Sequence, residues 1–344
     1  MCSIYDGNMY LNDVKKILKK SNELEKKENR LNLYSYPENS FEYHITLYFE
    51  KKISSFVSKE YGKKSLRRPF VCKLFWVDNE RIDAKVKRSN KYDDTYYVLL
   101  YKGLITKLRQ RLKSKILIKS APDFSTNVVN EMLGVTSVDS SLNQVELTIL
   151  CIIYIYIINH EVGHILCGHQ KDPRKFCGYK DQNKELCADC IGFYAALDSV
   201  ESSNSPFLLK TLSVASFLFW LIKEEDIKDN MFVEEISDHP HPNTRYLYMA
   251  SWLIQDVKSS DCKLEPEVKE DIIKNALDFF RVLDDRKKCF DNQLGKTCDD
   301  EKEIGSVERD EVDKITDEYE FIFDYYKDDA YYDKDLLSKI IRGS

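Results

Sequence analysis

The sequence predicts an α+β protein in which helices dominate, and three observations support this fold class. Glycine and proline occur only 11 and 8 times in 344 residues, below the roughly 7% and 5% of an average protein. Because these residues interrupt helices and strands, their scarcity indicates long elements. Most of the chain has the apolar spacing typical of helices, while a few short segments are rich in aromatic and β-branched residues, as strands are.

The strands are predicted in the N-terminal third. Residues 10–30 have a charged sequence with one apolar stripe, which predicts a helix. Residues 41–57 and 70–77 alternate in part between apolar and polar side chains, which predicts two strands separated by a basic turn. Residues 95–116 are predicted as a strand, a turn at Gly103 and a basic helix.

The rest of the chain is predicted to be helical with polar connections. Residues 145–167 are apolar on nearly every face, which predicts a helix at the centre of the core. Residues 120–145 and 170–183 are polar and are predicted mainly as loops. Further helices are predicted over residues 184–199, 207–225, 243–257, 266–284 and 311–341, with a charged, turn-like stretch over 286–310.

Charge and motifs divide the chain into three predicted regions. Residues 1–92 form a basic N-terminal α/β region, residues 93–258 contain the motifs described below, and residues 259–344 form an acidic helical region. Residues 1–120 carry 27 basic against 14 acidic side chains, and residues 299–335 carry 16 acidic against 5 basic ones. We interpret this asymmetry as solvated helix faces plus an acidic tail. A basic surface for an acidic partner is the alternative.

Several classes of protein are disfavoured by the sequence. The first twenty residues contain no apolar core of a signal peptide, so the ten cysteines are expected to be reduced thiols and the protein cytoplasmic. The most apolar stretches, residues 147–158 and 207–222, fall short of the roughly 18 residues of a membrane span. Membrane association is therefore not expected. Nucleic-acid binding is not expected either, because the basic residues are scattered and no reader motif is present.

The strongest chemical signal is an HExxH motif near the end of the central predicted helix. His160 and His164 are four residues apart, so their imidazoles project from one helix face and can bind one metal ion. Glu161 can reach a water molecule at such a site and accept its proton. The motif follows the apolar run 149–158, and buried polar side chains require a ligand or a partner. A buried helix that merely carries two histidines is the alternative.

A zinc site of this type needs a third protein ligand. His169 does not fit the extended metzincin pattern and is predicted as a stacked or solvated residue at the helix end, just past Gly168. Glu185 and Asp189 lie four residues apart on the next predicted helix, and they fit better: Glu185 as a metal ligand and Asp189 as the carboxylate that hydrogen-bonds a ligating imidazole. Two carboxylates that face water are the alternative. Cys187 and Cys190 are predicted as small core residues rather than a redox pair.

A further candidate segment, residues 238–245, is a proline-rich turn that opens a helix. It contains His239, His241 and Arg245. A histidine at this position can donate a hydrogen bond to the oxyanion of a tetrahedral intermediate, and Arg245 can pair with a carboxylate of the site. An ordinary helix N-terminus is the alternative. His44, isolated in a predicted strand, is expected to be structural.

The segments HEVGH, ELCAD and HPHPNTR, in this order, resemble the motifs of the gluzincin metallopeptidases. The resemblance implies a zincin-like core over residues 93–258, with a small mixed sheet whose edge strand precedes the HExxH helix. In such enzymes the edge strand binds the substrate backbone by strand addition. His239, rather than His241, keeps the family's HPxxxxR register with Arg245. The residues of the implied edge strand are Val98, Leu99, Leu100 and Tyr101.

Among soluble cytoplasmic members, the chain is most similar to the Lit-type peptidases, which are bacterial phage-exclusion proteases. This resemblance covers about residues 95–255. It implies zinc-dependent cleavage of a host protein, elongation factor Tu, triggered by a phage component. It therefore implies a protein substrate, a phage-derived activator and a role in antiviral defence.

Two function classes follow from these motifs. In a zinc endopeptidase, Zn²⁺ is bound by His160, His164 and Glu185, and Glu161 acts as the general base. Asp189 and Arg245 would then support the ligands, and His239 would stabilise the oxyanion. The second class is a non-catalytic interaction protein that zinc stabilises. The motif favours the first class, because a purely structural site has no use for a carboxylate beside its ligands and usually fills its fourth position with protein.

Overall fold

The computed structural model describes most of the chain between residues 4 and 293. The described residues are 4–23, 30–38, 40–81, 83–113, 144–169, 179–201, 206–228, 240–258 and 262–293. The predictions for residues 120–143, 170–178 and 294–344 and for His239 lie outside these residues.

The described residues form helices and one small mixed sheet, which confirms a mostly helical α+β protein. The first elements are α1 (Ile4–Asn22), β1 (Leu33–Tyr34), α2 (Phe41–Gly62), β2 (Val71–Val77), β3 (Ala84–Arg88), β4 (Thr95–Tyr101) and α3 (Lys102–Lys113). Helices follow as α4 (Gln144–Leu166), α5 (Tyr179–Glu201), α6 (Pro206–Lys228), α7 (Pro242–Lys258) and α8 (Pro266–Gln293).

The chain divides into two compact units, and helix α4 contributes to both. The described part of the first unit contains the elements from α1 to α3, the start of α4 up to Cys151, and residues 161–169. That of the second contains residues 152–160 and helices α5 to α8. The predicted boundary after residue 92 falls between two paired strands, and the one after residue 258 falls inside the second unit.

The sheet belongs to the first unit and has the strand order β1-β2-β4-β3. Strands β2 and β4 run parallel, with Val71 opposite Thr95 and Val77 opposite Tyr101. Strand β3 pairs with the other side of β4 and runs antiparallel to it. Strand β1 adds an antiparallel pairing with β2 over two residues.

Strand β4 lies inside this sheet, which corrects the expectation of an edge strand before the HExxH helix. Both of its sides are hydrogen-bonded, one to β2 and the other to β3, and every residue from Thr95 to Tyr101 is buried. A continuous apolar run such as TYYVLLY is typical of a strand covered on both faces. Val98, Leu99, Leu100 and Tyr101 therefore offer no open backbone edge to a substrate. On that side of the described sheet the outer strand is β3, with the sequence AKVKR.

Helix α1 packs against the sheet through a stripe of apolar residues. Val14, Ile17 and Leu18 form a buried cluster with residues of β2 and β4, including Leu99. The buried carboxylate of Asp13 accepts a hydrogen bond of 2.7 Å from the hydroxyl of Tyr97. This bond fixes the helix to β4.

Helix α2 replaces the strand that was predicted over residues 41–57. Ser40 caps its N-terminus by accepting a hydrogen bond of 3.2 Å from the backbone N–H of Tyr43. Buried apolar residues then recur every four positions along the helix, at Phe41, Ile45, Phe49, Ile53 and Val57. This helical period outweighs the strand preference of the aromatic and β-branched side chains, because burial decides the conformation.

Helix α2 is tied to β2 by polar side chains. Trp76 donates its indole N–H to the hydroxyl of Thr46 at 2.9 Å. The carboxylate of Glu50 accepts the backbone N–H of Leu74 at 2.9 Å. Strand β1 pairs only with Trp76 and Val77 of β2 and does not reach Leu74. The carboxylate of Glu50 therefore satisfies a backbone N–H that β1 leaves unpaired.

Helix α3 begins directly after β4, so no separate turn lies at Gly103. The backbone N–H of Gly103 donates to the carbonyl oxygen of Asn79 at 2.8 Å. A Cβ atom at this position would lie 2.1 Å from the carbonyl carbon of Glu80. The glycine is therefore required by the close approach of two backbone segments.

Aromatic and sulfur contacts join the helices of the second unit. Phe217 of α6 stacks on Phe279 of α8, with 4.4 Å between the ring centroids. Trp220 donates its indole N–H to the sulfur of Met249 at 2.8 Å. The hydroxyl of Tyr246 donates to the carbonyl oxygen of Ala276 at 3.3 Å. Helices α6, α7 and α8 therefore share one core.

Among the described residues, one helical segment, 146–166, is long and apolar enough to cross a membrane by length and composition. It exceeds the apolar stretch 147–158 noted in the sequence, because Val162, Ile165 and Leu166 extend it through the HExxH motif. The segment is almost entirely buried within the protein, as the core helices of soluble proteins are.

Candidate metal centre

Helix α4 carries the HExxH motif close to its C-terminus and is continuous through it. His160 and His164 lie one turn apart on one face of the helix. Both are buried, each with 8% of its surface exposed, and Glu161 is 6% exposed. The predicted helix thus presents three buried polar side chains in its last two turns.

Helix α5 brings a carboxylate to His160. Nε2 of His160 lies 3.4 Å from Oε2 of Glu185, and the metal-binding atoms of His160, His164 and Glu185 all lie within 4.8 Å of one another. Two atoms bound to a tetrahedral zinc ion at about 2.0–2.1 Å lie roughly 3.4 Å apart. The three side chains are therefore grouped closely enough to hold one metal ion.

The other nitrogen of His160 faces Asp189, one turn further along α5. Nδ1 of His160 lies 2.9 Å from Oδ1 of Asp189. Arg245 of α7 donates to both oxygens of this carboxylate, and the hydroxyl of Tyr156 donates to Oδ1. The guanidinium of Arg245 also lies over the ring of Trp220, 4.4 Å from its centroid. Asp189 is thus a fully buried carboxylate held by three neighbours.

The charges of this network favour a cation beside Glu185. Burial alone would raise the pKa of Asp189, but the charge and hydrogen bonds of Arg245, with the hydrogen bond from His160, lower it to about 2. Burial alone would lower the pKa of His160, but its hydrogen bonds to Asp189 and Glu185 raise it to about 9. The two carboxylates therefore stabilise positive charge at this position, whether it is a proton or a metal ion.

A glycine allows helix α5 to lie close to α4 at the level of His160. A Cβ atom on Gly192 would lie 2.7 Å from the carbonyl oxygen of Tyr156 and 3.1 Å from the backbone nitrogen of His160. Side chains essentially never tolerate the shorter of these distances. Glycine at this position is therefore required for α5 to place Asp189 and Glu185 against His160.

Past the end of α4, His169 lies beside His164. Nδ1 of His169 is 3.0 Å from Nδ1 of His164. His169 also belongs to a second group of side chains that could hold a metal ion, Cys167, His169 and Cys187, whose potential ligand atoms lie within 4.8 Å of one another. Of the two environments predicted for His169, the solvated one is excluded, because the residue is only 6% exposed and its ring packs edge-on against that of His164.

Glu161 is buried and lies within electrostatic reach of a cysteine of the sheet. Burial, together with the negative charges of Glu50 and Glu161, raises the pKa of the Cys72 thiol on β2. The carboxylate of Glu161 is therefore close enough to Cys72 to act on it electrostatically. Glu161 follows His160 directly, so its side chain projects from α4 about 100° further round the helix axis than that of His160.

Of the two histidines in the proline-rich turn, only His241 lies among the described residues. His241 is buried and begins α7: its Nδ1 accepts the backbone N–H of Asn243 at 3.1 Å, and its carbonyl oxygen accepts that of Arg245 at 3.1 Å. Pro242 occupies the first helical position, where no N–H is needed. His241 is therefore an N-cap residue, whereas His239 lies outside the described residues.

Sequence reasoning missed three residues of the network. Tyr156 precedes His160 by four positions and Gly192 follows Asp189 by three, so both lie on the site faces of their helices, and this spacing was a usable signal. Trp220 had no comparable signal, because only tertiary packing brings α6 beneath Arg245.

The centre contains two imidazoles and a carboxylate, from His160, His164 and Glu185, that can hold a metal ion. The buried Glu161 follows the first of these histidines in the sequence. No protein-family model matches the chain, and neither a curated protein nor a solved structure shows significant similarity to it.

Proposed function

We propose that this chain is a zinc-dependent endopeptidase. The observation that carries the proposal is the environment of His160, whose Nε2 lies 3.4 Å from Glu185 while its Nδ1 lies 2.9 Å from Asp189. Metal-ligating histidines are held in this way, with one nitrogen toward the ligand set and the other on a carboxylate. Two imidazoles and a carboxylate suit Zn²⁺, and three protein ligands are typical of a catalytic site.

The chain's own residues would do the proton transfer. When bound, zinc would supply Lewis-acid activation of a water molecule and of the peptide carbonyl. Glu161 would accept a proton from the attacking water and pass it to the leaving amine. Asp189, clamped by Arg245, would keep the proton of His160 on Nδ1. We assign the oxyanion hydrogen bond to His239, because the HPxxxxR register selects it.

We further propose a protein substrate in the cytoplasm and a role in antiviral defence. The order of the segments HEVGH, ELCAD and HPHPNTR supports this proposal through its resemblance to the Lit-type peptidases. Elongation factor Tu is accordingly the first substrate to test, with a phage-derived protein as the activator. The burial of the apolar helix α4 accords with a soluble enzyme.

The test compares new protein N-termini in cells that express the wild type or Glu161→Gln, with phage infection as the trigger. Glutamine keeps the shape of glutamate but cannot accept a proton, so cleavage should fall by the roughly 10²–10⁴ that a general base contributes. The matched control is Glu146→Gln, which changes another buried glutamate of α4, 8% exposed. This control should cleave like the wild type.

Two outcomes would reject the proposal. If Glu161→Gln yields the same cleavage products at the same rate as the wild type, Glu161 is not the base. If the wild type yields no products of its own, while removal of zinc lowers its thermal unfolding temperature, the metal is structural. The chain would then be a zinc-stabilised interaction module, the alternative class.

A further inference from the structure

The chain reverses direction immediately after helix α4, and a glycine makes this possible. Gly168 has a φ of 74°, in the left-handed region. Its N–H donates to the carbonyl oxygen of Ile165 at 3.0 Å, and the N–H of His169 donates to that of His164 at 2.9 Å. These two bonds define a Schellman motif, a fixed way to end a helix. The backbone of His169 is thereby held against that of His164.

The motif also brings the two imidazoles together. Nδ1 of His169 lies 3.0 Å from Nδ1 of His164, and the ring planes are inclined by 63° with 5.3 Å between centroids. Both side chains are buried. At this distance one nitrogen carries the proton and donates it, while the other accepts.

The direction of this hydrogen bond decides which nitrogen of His164 can bind a metal. If His164 donates from Nδ1, the lone pair on its Nε2 is available for coordination, and His169 is the acceptor. The same division holds at the other histidine, where Nδ1 of His160 lies 2.9 Å from a carboxylate oxygen of Asp189. Both histidines of the HExxH motif would then have Nδ1 held by a neighbour.

We propose that His169 is a positioning residue that accepts the Nδ1 proton of His164 and so presents Nε2 of His164 to the metal. The proposal rests on the metal centre proposed above. It assigns a role to a residue that has no place in the HExxH motif itself. It also explains why Gly168 stands at this position, since only a residue that tolerates a positive φ lets His169 turn back on the helix.

The test measures Zn²⁺ affinity of the full chain by competition with a chromophoric chelator. His169→Ala should weaken binding by about 10–100-fold, the usual loss when the partner of a ligating histidine is removed. His169→Gln retains a hydrogen-bond acceptor and should recover part of the affinity. His44→Ala, which changes a histidine on helix α2, should bind like the wild type.

A second measurement does not depend on the metal. Chemical shifts of ¹⁵N-labelled histidine in the metal-free chain report which ring nitrogen carries the proton. His164 should be protonated on Nδ1 in the wild type and become a mixture of tautomers in His169→Ala. A change that merely destabilised the fold would not produce this selective shift.

The outcomes separate this inference from the proposed function. If the wild type binds no Zn²⁺, the proposed function fails, and with it the presentation of Nε2 to a metal. The tautomer of His164 then still shows whether His169 accepts the Nδ1 proton. Unchanged affinity and an unchanged tautomer in His169→Ala would overturn the positioning role. A thiolate-to-Co²⁺ absorption band that disappears in His169→Ala would overturn it as well, because His169 would then bind metal with Cys167 and Cys187.

Discussion

Arg245 binds Asp189 through two nitrogens, with Nε 2.6 Å from Oδ2 and Nη2 2.5 Å from Oδ1. Both side chains are buried, and the same carboxylate contacts Nδ1 of His160. Removing one partner of a buried ion pair leaves a charge that nothing compensates. The pair therefore links the stability of the second unit to the orientation of a histidine in the candidate metal centre.

Replacing this arginine should destabilise the fold. Arg245→Met leaves the buried carboxylate of Asp189 without its guanidinium partner, so the free energy of unfolding should fall by about 3–5 kcal/mol. Urea denaturation of the metal-free chain measures this loss. The control is Arg281→Met, which removes an exposed pair with Asp278 at 2.9 Å and should change stability by less than about 1 kcal/mol. Equal losses in the two variants would contradict the role of the buried pair.

Metal content should follow the predicted ligands. We expect about one zinc ion per wild-type chain and a loss of most of it in His160→Ala and in Glu185→Ala. Atomic emission spectroscopy of the purified proteins measures the ratio. Glu146→Gln, on the same helix as His160, should retain the full amount. Zinc retained by Glu185→Ala would show that the third ligand lies elsewhere.

The close approach of α5 to α4 should depend on Gly192. In Gly192→Ala the added Cβ would meet the carbonyl oxygen of Tyr156, at 2.7 Å in the present geometry. Overpacking of this kind lowers stability by roughly 1–3 kcal/mol, and the displaced helix should also weaken metal binding. Gly62→Ala is the matched control, because a Cβ there has no atom within 4 Å. If both variants are as stable as the wild type, the helices have room to separate.

Replacing either histidine of the proline-rich turn should have a different effect: one lowers stability and the other lowers turnover. His241→Ala removes an N-cap, so it should lower stability by about 0.5–2 kcal/mol, as loss of a side-chain cap does, with little effect on turnover. His239→Ala should instead lower turnover by roughly 10²–10³, as loss of an oxyanion donor does, with zinc retained. Steady-state kinetics and thermal unfolding of both variants check this. The reverse pattern would assign the oxyanion role to His241.

Stability should fall at alkaline pH through buried tyrosines such as Tyr246. Burial raises the pKa of Tyr246 above the value of about 10 in an unfolded chain. The folded state therefore holds the proton more tightly, so this contribution is complete below about pH 10 and is lost as pH rises above it. Tyr246→Phe should lose stability less steeply there, by up to about 1.4 kcal/mol per pH unit.

Urea denaturation between pH 8 and pH 11 measures the difference. Phe280→Leu is the control, because it changes a buried residue of α8 that does not titrate. Its free energy of unfolding should be lower than that of the wild type by the same amount at every pH. Parallel curves for Tyr246→Phe and the wild type would contradict the prediction.

Helices with strong periodicity or continuous apolar composition could be predicted from the sequence, and helix α4 is the clearest example. Helix α2 could not, because its aromatic and β-branched residues favour strands locally and only its burial pattern reveals the helical period. The interior position of β4 in the sheet could not be predicted from the sequence either. A continuous apolar strand shows that both faces are covered, but pairing with β3 is a tertiary property that local sequence does not encode.

The candidate ligands could be predicted because residues four positions apart in a helix lie on the same face. Asp189 and Glu185 were found by this rule. The contacts that hold them depend on tertiary structure, as the position of Trp220 under Arg245 shows. The burial of His169 could not be predicted, because it follows from the backbone reversal at Gly168, and a glycine in the sequence does not reveal its φ.

The outer strand of the sheet has a consequence for the behaviour of the protein at high concentration. Exposed strand edges template fibres, and natural proteins block them with charge. Lys85, Lys87 and Arg88 lie on β3, so a second copy brought alongside would meet like charges. On the opposite side, the carboxylate of Glu50 occupies the N–H of Leu74. The charged strand β3 and this occupied donor on β2 therefore both disfavour growth of the sheet by recruitment of identical chains.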